Sequence, residues 1–510
     1  MLKKFLHKID PRRRSDDFRR SLRNATYSSA DYLLLPVLWL ISTPIFVSRL
    51  GTDQFGIWML ANTLMGLGGI MAFGLTDATT KYVSKYRALG NEAGVVRVVR
   101  STLTMYSLLG AVTAVIVFPV APFLVNHVFK VETHNTALAV SALQIGGIGI
   151  AMRFFDSVFQ STIYGYERYD LAARVTMITN ALTIGINVLL VLLGYGLIAV
   201  LINILGWIVA SGCYKAWLAK KNLIEGLRLT PVLDRATLKE IFGFGIYSWI
   251  QGVGGMLLGQ VDRLLVASLL GTTALTYYAV CLQLAQQIHA SLARTVSFVF
   301  PMSSAIKETG NIDRLRGLYF KGLNFTTVVA MTIGLPLFMC SHGILSVWMG
   351  QAFADEASSV LRVLVFAMCI LATSIVPYYY LNGTGYVRLN TLFGLVSGAI
   401  VAIAGFLLIP WLGVVGAAWA RIANTPTSII SRTILHYKVL SDGRWYAGMS
   451  IFLPVIISFA VGFGLLKLFG EPSANLLIMG FTILGYALLG SFLATIFCLF
   501  ISKTPKQVIT

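Results

Sequence analysis

Residues 389–411 read LNTLFGLVSGAIVAIAGFLLIPW, a run of 23 residues that contains no charged side chain. As an α-helix this run would be roughly 35 Å long, because each residue adds about 1.5 Å. The hydrocarbon core of a bilayer is about 30 Å thick, and lipid offers no partner for unpaired backbone groups. The stretch therefore predicts a membrane-spanning helix.

Similar apolar runs recur along the whole chain. Of its 510 residues, 56% are hydrophobic and only 12% are charged, and the mean hydropathy is +0.77. A soluble protein of this length would need far more polar surface to cover its core. We predict an all-α polytopic membrane protein with fourteen spans. They lie near 27–49, 55–79, 101–126, 137–163, 171–193, 197–218, 241–269, 275–305, 320–347, 357–381, 389–411, 414–436, 448–469 and 475–501.

Basic residues are distributed unevenly between the predicted loops. With the N-terminus in the cytoplasm, the cytoplasmic segments hold 32 of the 40 Lys and Arg residues, and the outer loops hold Arg49, Lys130 and Lys467. This bias predicts that both termini are cytoplasmic. It also explains the net charge of +19 without a nucleic-acid partner, because the charges are spread over many loops rather than one face.

The basic N-terminal segment, residues 1–24, is expected to lie on anionic membrane lipid as an interfacial helix, or to bind a partner. We expect no cleavable signal peptide, because no small-residue cleavage site follows the first apolar run. The five cysteines lie within apolar runs, at spacings that favour neither a disulfide framework nor a metal site. We find no P-loop, metal-ligand cluster or catalytic triad pattern and predict a protein that is not an enzyme and needs no cofactor.

An internal repeat becomes visible when the chain is displaced by 220 residues. Residues 50–52 then fall on 270–272, and 90–91 fall on 310–311, with identical residues in each case. Six spans per repeat is an even number, so both halves would face the same way, as in transporters built from two parallel bundles. A static, duplicated scaffold is the alternative. The predicted regions are the basic segment 1–24, an N-lobe 25–220, a C-lobe 221–440, and spans 13 and 14 with the tail, 441–510.

Charged residues inside the spans are the candidates for function. Each costs about 2.5–3.5 kcal/mol to insert, and such residues usually face a bundle interior or a water-filled cavity. Arginine suits the binding of phosphate or carboxylate, whereas aspartate can exchange protons or bind sodium. We therefore predict substrate binding by Arg153, Arg263, Arg294, Arg421 and Gln287. The candidates for coupling to an H⁺ or Na⁺ gradient are Asp31, Asp77, Asp156 and Asp262.

Structural roles are the alternatives for several of these residues. Arg153 and Asp156 are three residues apart on one helix, where they can pair. Asp262 and Arg263 are adjacent and point about 100° apart, so each needs its own partner from another helix, water or substrate. Polar stripes on spans 8 and 12 predict water-lined walls or, alternatively, hydrogen bonds between helices. These stripes are Gln283, Gln287 and Arg294, and Arg421, Thr425, Ser428 and Arg432.

Several short motifs together resemble the Wzx-type oligosaccharide flippases, within the multidrug/oligosaccharidyl-lipid/polysaccharide superfamily. They include RLGTDQFGIWML at 49–60, YGYERYDLA at 164–172, QVDRLLVASLLG at 260–271 and FPMSSAIKETGN at 300–311. The resemblance covers nearly the whole chain after residue 25. It implies two six-helix lobes around a cationic cavity, to which Asp262 and Arg263 would contribute. It also implies that spans 13 and 14 could form a groove for a lipid tail.

The resemblance further implies a substrate and a location. The substrate would be an oligosaccharide repeat unit linked by pyrophosphate to undecaprenol, moved across the bacterial inner membrane for O-antigen, capsule or exopolysaccharide synthesis. A polysaccharide polymerase and a chain-length regulator would be partners. The alternatives are a peptidoglycan-precursor (lipid II) flippase, a multidrug exporter, which the arginine surplus disfavours, and a glycan polymerase or ligase, which would carry a large outer loop.

Overall fold

The computed structural model describes residues 34–72, 74–224, 230, 232–441, 452–470 and 476–503. Over these residues the chain is helical, without β-strands. Its contacts divide it into two units. The first unit extends to Gly252, apart from Val128–Glu132, and the second unit consists of Val128–Glu132 and the chain from Val253 onward. The predicted lobe limits at 220 and 440 stay predictions.

The first unit contains seven of the described helices and the beginning of an eighth. These are α1 (Leu34–Leu50), α2 (Thr52–Met71), α3 (Leu75–Ala88), α4 (Glu92–Phe123), α5 (Thr136–Gly165), α6 (Tyr169–Leu192), α7 (Leu197–Leu218) and α8 (Arg235–Leu269). Helix α5 is central and packs against α2, α3, α4 and α7. Small residues permit this packing, since a Cβ atom on Gly110 of α4 would lie 3.1 Å from Ala151 of α5.

The second unit contains the end of α8 and ten further described helices. These are α9 (Thr272–Thr295), α10 (Val299–Glu308), α11 (Ile312–Met339), α12 (Ser341–Met349), α13 (Gln351–Ala372), α14 (Ile375–Gly383), α15 (Val387–Ile422), α16 (Thr425–Leu435), α17 (Phe452–Phe469) and α18 (Leu476–Lys503). Helix α11 packs against α13, α17 and α18. A Cβ atom on Gly490 of α18 would lie 2.6 Å from the Met331 carbonyl oxygen, so only glycine allows this close approach.

Several predicted spans are interrupted helices. Within the described residues, nine helices are long and apolar enough to cross a membrane. Spans 55–79 and 275–305 are each two helices, α2 with α3 and α9 with α10. The run at 389–411 and the first part of the following span lie within α15, which bends at Gly413 with a φ of 59°, and the rest of that span forms α16. The prediction of an all-helical, polytopic membrane protein is confirmed, and the count of fourteen spans stays a prediction.

The 220-residue repeat appears in local geometry as well as in sequence. Gly90 and Gly310 adopt φ angles of 67° and 68°, in the left-handed region that favours glycine. The residue after each glycine caps the next helix: Asn91 Oδ1 accepts from the Gly94 N–H at 2.8 Å, and Asn311 Oδ1 accepts from the Arg314 N–H at 2.9 Å. The same turn therefore begins α4 in one unit and α11 in the other.

A basic side chain also lies on an equivalent tyrosine ring in each half. The Arg87 guanidinium is 5.1 Å from the centre of the Tyr166 ring, and Lys307 Nζ is 5.4 Å from the centre of the Tyr386 ring. Both pairs are related by the 220-residue offset. Such contacts stabilise by about 0.5–1 kcal/mol at exposed sites. The repeat thus preserves a contact between helix ends that the sequence identities alone did not reveal.

Two glycines with the same backbone conformation provide a test of helix packing. Gly74 has a φ of 66°, and a Cβ atom there would lie 2.1 Å from the Gly245 carbonyl oxygen, whereas Gly90 has open space around it. We expect Gly90→Ala to cost about 1–2 kcal/mol, from backbone strain alone. Gly74→Ala should cost about 1–3 kcal/mol more, because α3 must move away from α8. Thermal unfolding of the purified variants would measure both, and equal melting temperatures would contradict the packing argument.

Candidate functional site

A polar cavity of about 330 Å³ lies within the first unit, between α2, α3, α5 and α8. Its charged lining residues are Asp77 and Arg153, both exposed, and Thr76 and Ser157 add hydroxyl groups. Trp249 of α8 contributes an aromatic surface. Both charged residues were predicted from the sequence, Arg153 for substrate and Asp77 for ion coupling, and the fold places them on one cavity. We call this the polar cavity.

The walls of the polar cavity are fixed by contacts behind its lining. Arg153 and Ser157 are four residues apart, so they lie on one face of α5. Asp77 is in the first turn of α3, where the helix dipole favours a negative charge. The Tyr106 hydroxyl is 2.7 Å from the Thr76 hydroxyl, and the Tyr106 ring stacks on Phe154 with centres 5.1 Å apart. These contacts join α3, α4 and α5 around the site.

An ion pair at the far end of α3 ties two cavity walls together. Lys85 Nζ of α3 donates to Glu240 Oε1 of α8 at 2.6 Å, and the Tyr86 hydroxyl donates to Glu240 Oε2 at 2.9 Å. The hydrogen bond from Lys85 lowers the pKa of the Glu240 carboxyl group below its ordinary value of 4.5. The carboxylate is therefore charged at neutral pH. Its contribution is lost only as the pH falls through the lowered pKa.

Asp156 lies outside the polar cavity. Both of its carboxylate oxygens accept hydrogen bonds at 2.8 Å from Lys215 Nζ of α7, and Oδ1 also accepts from the Ser211 hydroxyl at 2.8 Å. The side chain of Lys215 is only 4% exposed. The pairing of Asp156 with Arg153, which their spacing allows, is not the one observed. Arg153 is thereby left for the cavity, and Asp156 is committed to Lys215.

The second unit contains a buried charged cluster, which we define as Asp262, Tyr278 and Arg421. Arg421 Nε donates to Asp262 Oδ2 at 2.7 Å and lies 3.1 Å from the Tyr278 hydroxyl, which itself donates to Asp262. The side chains of Asp262 and Arg421 are 1% and 6% exposed. Asp262 therefore has a partner on another helix, Arg421 of α15, as the sequence analysis required. Substrate binding by Arg421 stays a prediction, and it requires this pair to open.

Arg263 follows Asp262 on α8, so the two side chains leave the helix about 100° apart, and the Arg263 backbone N–H donates to Asp262 Oδ1 at 2.9 Å. Its guanidinium Nη1 contacts Gln260 Oε1 of the same helix at 3.5 Å, and its Nε is buried without a hydrogen-bond partner among the described residues. A buried donor without a partner costs roughly 1–3 kcal/mol. In this unit Arg263 is therefore better placed than Arg421 to accept an anionic ligand.

Three predicted site residues remain, and the structure describes two of them. Arg294 is exposed near the end of α9, and Gln287 is half-buried with its Nε2 donating to the Gln283 carbonyl of the same helix at 3.3 Å. Asp31 lies outside the described residues. Their predicted roles in substrate binding and ion coupling stay predictions.

Sequence reasoning missed two buried residues, Lys215 and Tyr278, and placed a third, Arg432, on the polar stripe of span 12 without predicting its burial. Lys215 and Arg432 both lie near the ends of predicted spans. Arg432 is completely buried; it donates to the hydroxyls of Thr373 and Ser374, and its guanidinium lies 4.3 Å from the ring centre of Phe452. The stripe on span 12 is therefore not a water-lined wall at Arg432. For Lys215, the available signal was Ser211, four residues earlier on the same face of α7.

Comparisons with known proteins identify a family and several similar proteins. A family described as "Polysaccharide biosynthesis protein" matches residues 47–358. A Shigella flexneri protein named as a candidate O-antigen transporter is 21% identical over 406 residues, which cover 78% of this chain and 93% of that protein.

Two solved structures share the fold. The lipid II flippase MurJ in an inward closed conformation matches 93% of this chain and 97% of its own, with a TM-score of 0.67 and 14% identity. An inward-facing multidrug resistance transporter of the MATE family, of the MOP superfamily, matches 78% of this chain and 92% of its own, with a TM-score of 0.67 and 15% identity.

The pair formed by Asp156 and Lys215 can be tested through stability. Asp156→Asn should lower the free energy of unfolding by about 3–5 kcal/mol, because it leaves the Lys215 ammonium buried without its counter-ion. Adding Lys215→Met should restore much of that loss by removing the unpaired charge. Thermal unfolding of the single and double variants would measure both effects. If the double variant were no more stable than Asp156→Asn alone, the pair would not be the source of the loss.

Proposed function

Because this chain belongs to the polysaccharide biosynthesis protein family, we propose that it moves undecaprenyl-pyrophosphate-linked oligosaccharides across the bacterial inner membrane. The family match confirms the resemblance to Wzx-type flippases that the motifs indicated. The observation that carries the proposal is Arg153, a permanently charged side chain exposed on a cavity within a bundle of apolar helices. In this proposal both termini are cytoplasmic, and the product passes to a polysaccharide polymerase and a chain-length regulator.

The physical need for such a cavity follows from the substrate. Passage of a sugar–pyrophosphate through lipid would remove water from many hydroxyl groups and from two charges. Burying a single hydroxyl without a partner costs about 2–7 kcal/mol on transfer scales, and burying an isolated ion costs far more. Arg153 supplies a charge that can bind two phosphate oxygens at once, and Ser157 and Thr76 supply hydroxyl partners. The protein would thereby replace lost hydration without any covalent chemistry.

The buried charged cluster supports coupling to an ion gradient. Asp262 and an anionic headgroup would compete for Arg421, because one guanidinium can satisfy only one of them fully. Protonation of Asp262, or its occupation by Na⁺, would weaken its hold on Arg421 and favour the headgroup. Because the ion and the headgroup would then be bound together, this coupling favours movement of both in the same direction rather than antiport. Asp156 is less suited to this role because Lys215 already neutralises it.

Alternating access is the proposed mode of transport. Two repeated halves with an even number of predicted spans would each form a bundle, and rocking of one against the other would expose the substrate to each side of the membrane in turn. The fourteen spans and the six-helix lobes are part of this proposal. The repeated caps at Asn91 and Asn311 support it, because both halves use the same device at the start of equivalent helices.

Two relatives by fold define the rival functions, a lipid II flippase and a multidrug exporter. An exporter of cationic drugs would need an acidic or apolar cavity, which the exposed Arg153 disfavours. A lipid II flippase would use the same phosphate chemistry, so only the sugar distinguishes it. Expression in cells depleted of their own lipid II flippase distinguishes the two functions. We expect no rescue of growth, and full rescue would show that the protein transports lipid II instead of the proposed substrate.

Arginine replacement in cells that depend on this protein tests the proposal directly. Arg153→Ala and Arg263→Ala should each lower surface polysaccharide by about tenfold to a hundredfold, because each removes a charge-assisted contact of about 1.5–3 kcal/mol. Arg153→Lys should lower surface polysaccharide less than Arg153→Ala does, because lysine retains the positive charge but lacks the planar set of guanidinium N–H donors. Immunoblots of surface glycan, normalised to membrane abundance of each variant, provide the measurement.

Arg314→Ala is the matched control for these replacements. Arg314 is exposed and its backbone, rather than its side chain, makes the contact with Asn311. It should leave surface polysaccharide unchanged. Normal glycan in both Arg153→Ala and Arg263→Ala, with the proteins present at normal levels, would refute the assigned substrate contacts.

A further inference from the structure

A second cavity in the first unit is almost entirely apolar. It has a volume of about 300 Å³ and lies between α2, α4 and α5. Its walls include Leu64 and Leu67 of α2, Val117 and Ala121 of α4, and Leu143 and Gly147 of α5. None of its lining residues carries a charge. We call it the apolar slot.

The apolar slot adjoins the polar cavity. Gly68 of α2 and Ile150 of α5 line both spaces. Along α5, Gly147 lines the slot, Ile150 lines both, and Arg153 lines the polar cavity, so the surface changes from apolar to charged within about two helical turns. Gly68 and Ile150 pack against each other, since a Cβ atom on Gly68 would lie 2.6 Å from Ile150 Cγ2. A charged space and an apolar space therefore lie on either side of one contact between α2 and α5.

The apolar slot is much larger than the water-sized voids that close packing leaves between helices. Water is a poor occupant, because it needs two to four polar partners. The slot is also open rather than sealed, since its lining residue Val120 is 36% exposed. A hydrocarbon chain is the occupant that these walls favour.

We propose that the apolar slot binds the isoprenoid chain of the lipid-linked substrate nearest its phosphate, while Arg153 binds the phosphate. The inference rests on the proposed function and adds a tail-binding site in the first unit to it. An engineered cavity of about 150 Å³ holds one benzene ring, so 300 Å³ holds roughly a dozen carbon atoms, or about two isoprenoid units. The rest of the chain would remain in lipid. Spans 13 and 14 are expected from the resemblance to form a tail groove, and none of their described residues lines this slot.

Photo-crosslinking of the unaltered full chain tests the inference. The probe is a short polyprenyl phosphate with a diazirine on its second isoprenoid unit, and the control is a phosphatidylcholine with the same group on an acyl chain. In phosphatidylcholine nanodiscs, the polyprenyl probe should label residues 113–124 and 143–150 about tenfold more than the control does. Equal labelling by both probes would show that the slot holds membrane lipid without preference for the polyprenyl chain. Labelling of residues 452–503 instead, or no labelling, would also overturn the inference.

Paired variants separate this inference from the proposed function. Ala121 is buried on the slot, so Ala121→Phe should fill it and reduce labelling by the polyprenyl probe about tenfold. Val112→Phe, at a 52% exposed position on the same helix, should leave labelling unchanged. Inorganic pyrophosphate, which has no tail, should bind wild type and Ala121→Phe equally and bind Arg153→Gln more weakly.

The outcomes of the paired variants are distinct. If Arg153→Gln weakens pyrophosphate binding but Ala121→Phe leaves labelling intact, the tail site is wrong and the phosphate contact stands. If neither variant has an effect, both the tail site and the assigned phosphate contact are wrong. The labelling pattern of the unaltered chain does not depend on any substitution. If Ala121→Phe folds poorly, that pattern alone still tests the inference.

Discussion

The requirement that every backbone N–H and C=O find a partner away from water governs this structure. Helices meet that requirement within themselves, so an apolar chain in lipid becomes a set of helices. Their surfaces must then pack closely without a hydrophobic force between them, and glycine makes this possible. Gly74 against Gly245 and Gly490 against Met331 are contacts that any side chain would block. The cavities lie where such packing is incomplete.

The same constraint decides the state of each charge. A charge at this depth needs a counter-charge, hydrogen bonds or water. Asp156 with Lys215 and Asp262 with Arg421 are pairs between helices within one unit, and both are largely buried. Arg153 is different, because it is exposed on the polar cavity. The paired charges therefore hold helices together, whereas the accessible Arg153 is best placed to contact a ligand.

The polar cavity and the apolar slot together match an amphipathic molecule better than either space alone. A free sugar phosphate would leave the slot empty, and a simple hydrocarbon would leave Arg153 without a partner. Both spaces are formed by helices of the first unit, and Ile150 belongs to both. In this account the position of one helix, α5, sets the distance between the phosphate contact and the tail contact.

The sequence by itself determined the helical membrane class, the repeat and the presence of costly charges, because apolar length, helix caps and insertion cost are properties of short segments. It placed Arg153 and Asp77 among the candidates, and the fold brought them to one cavity. Only the tertiary structure decided which charges pair. Asp156 meets Lys215 across 59 residues and Asp262 meets Arg421 across 159. Such partners depend on how distant helices pack, and no local pattern encodes that packing.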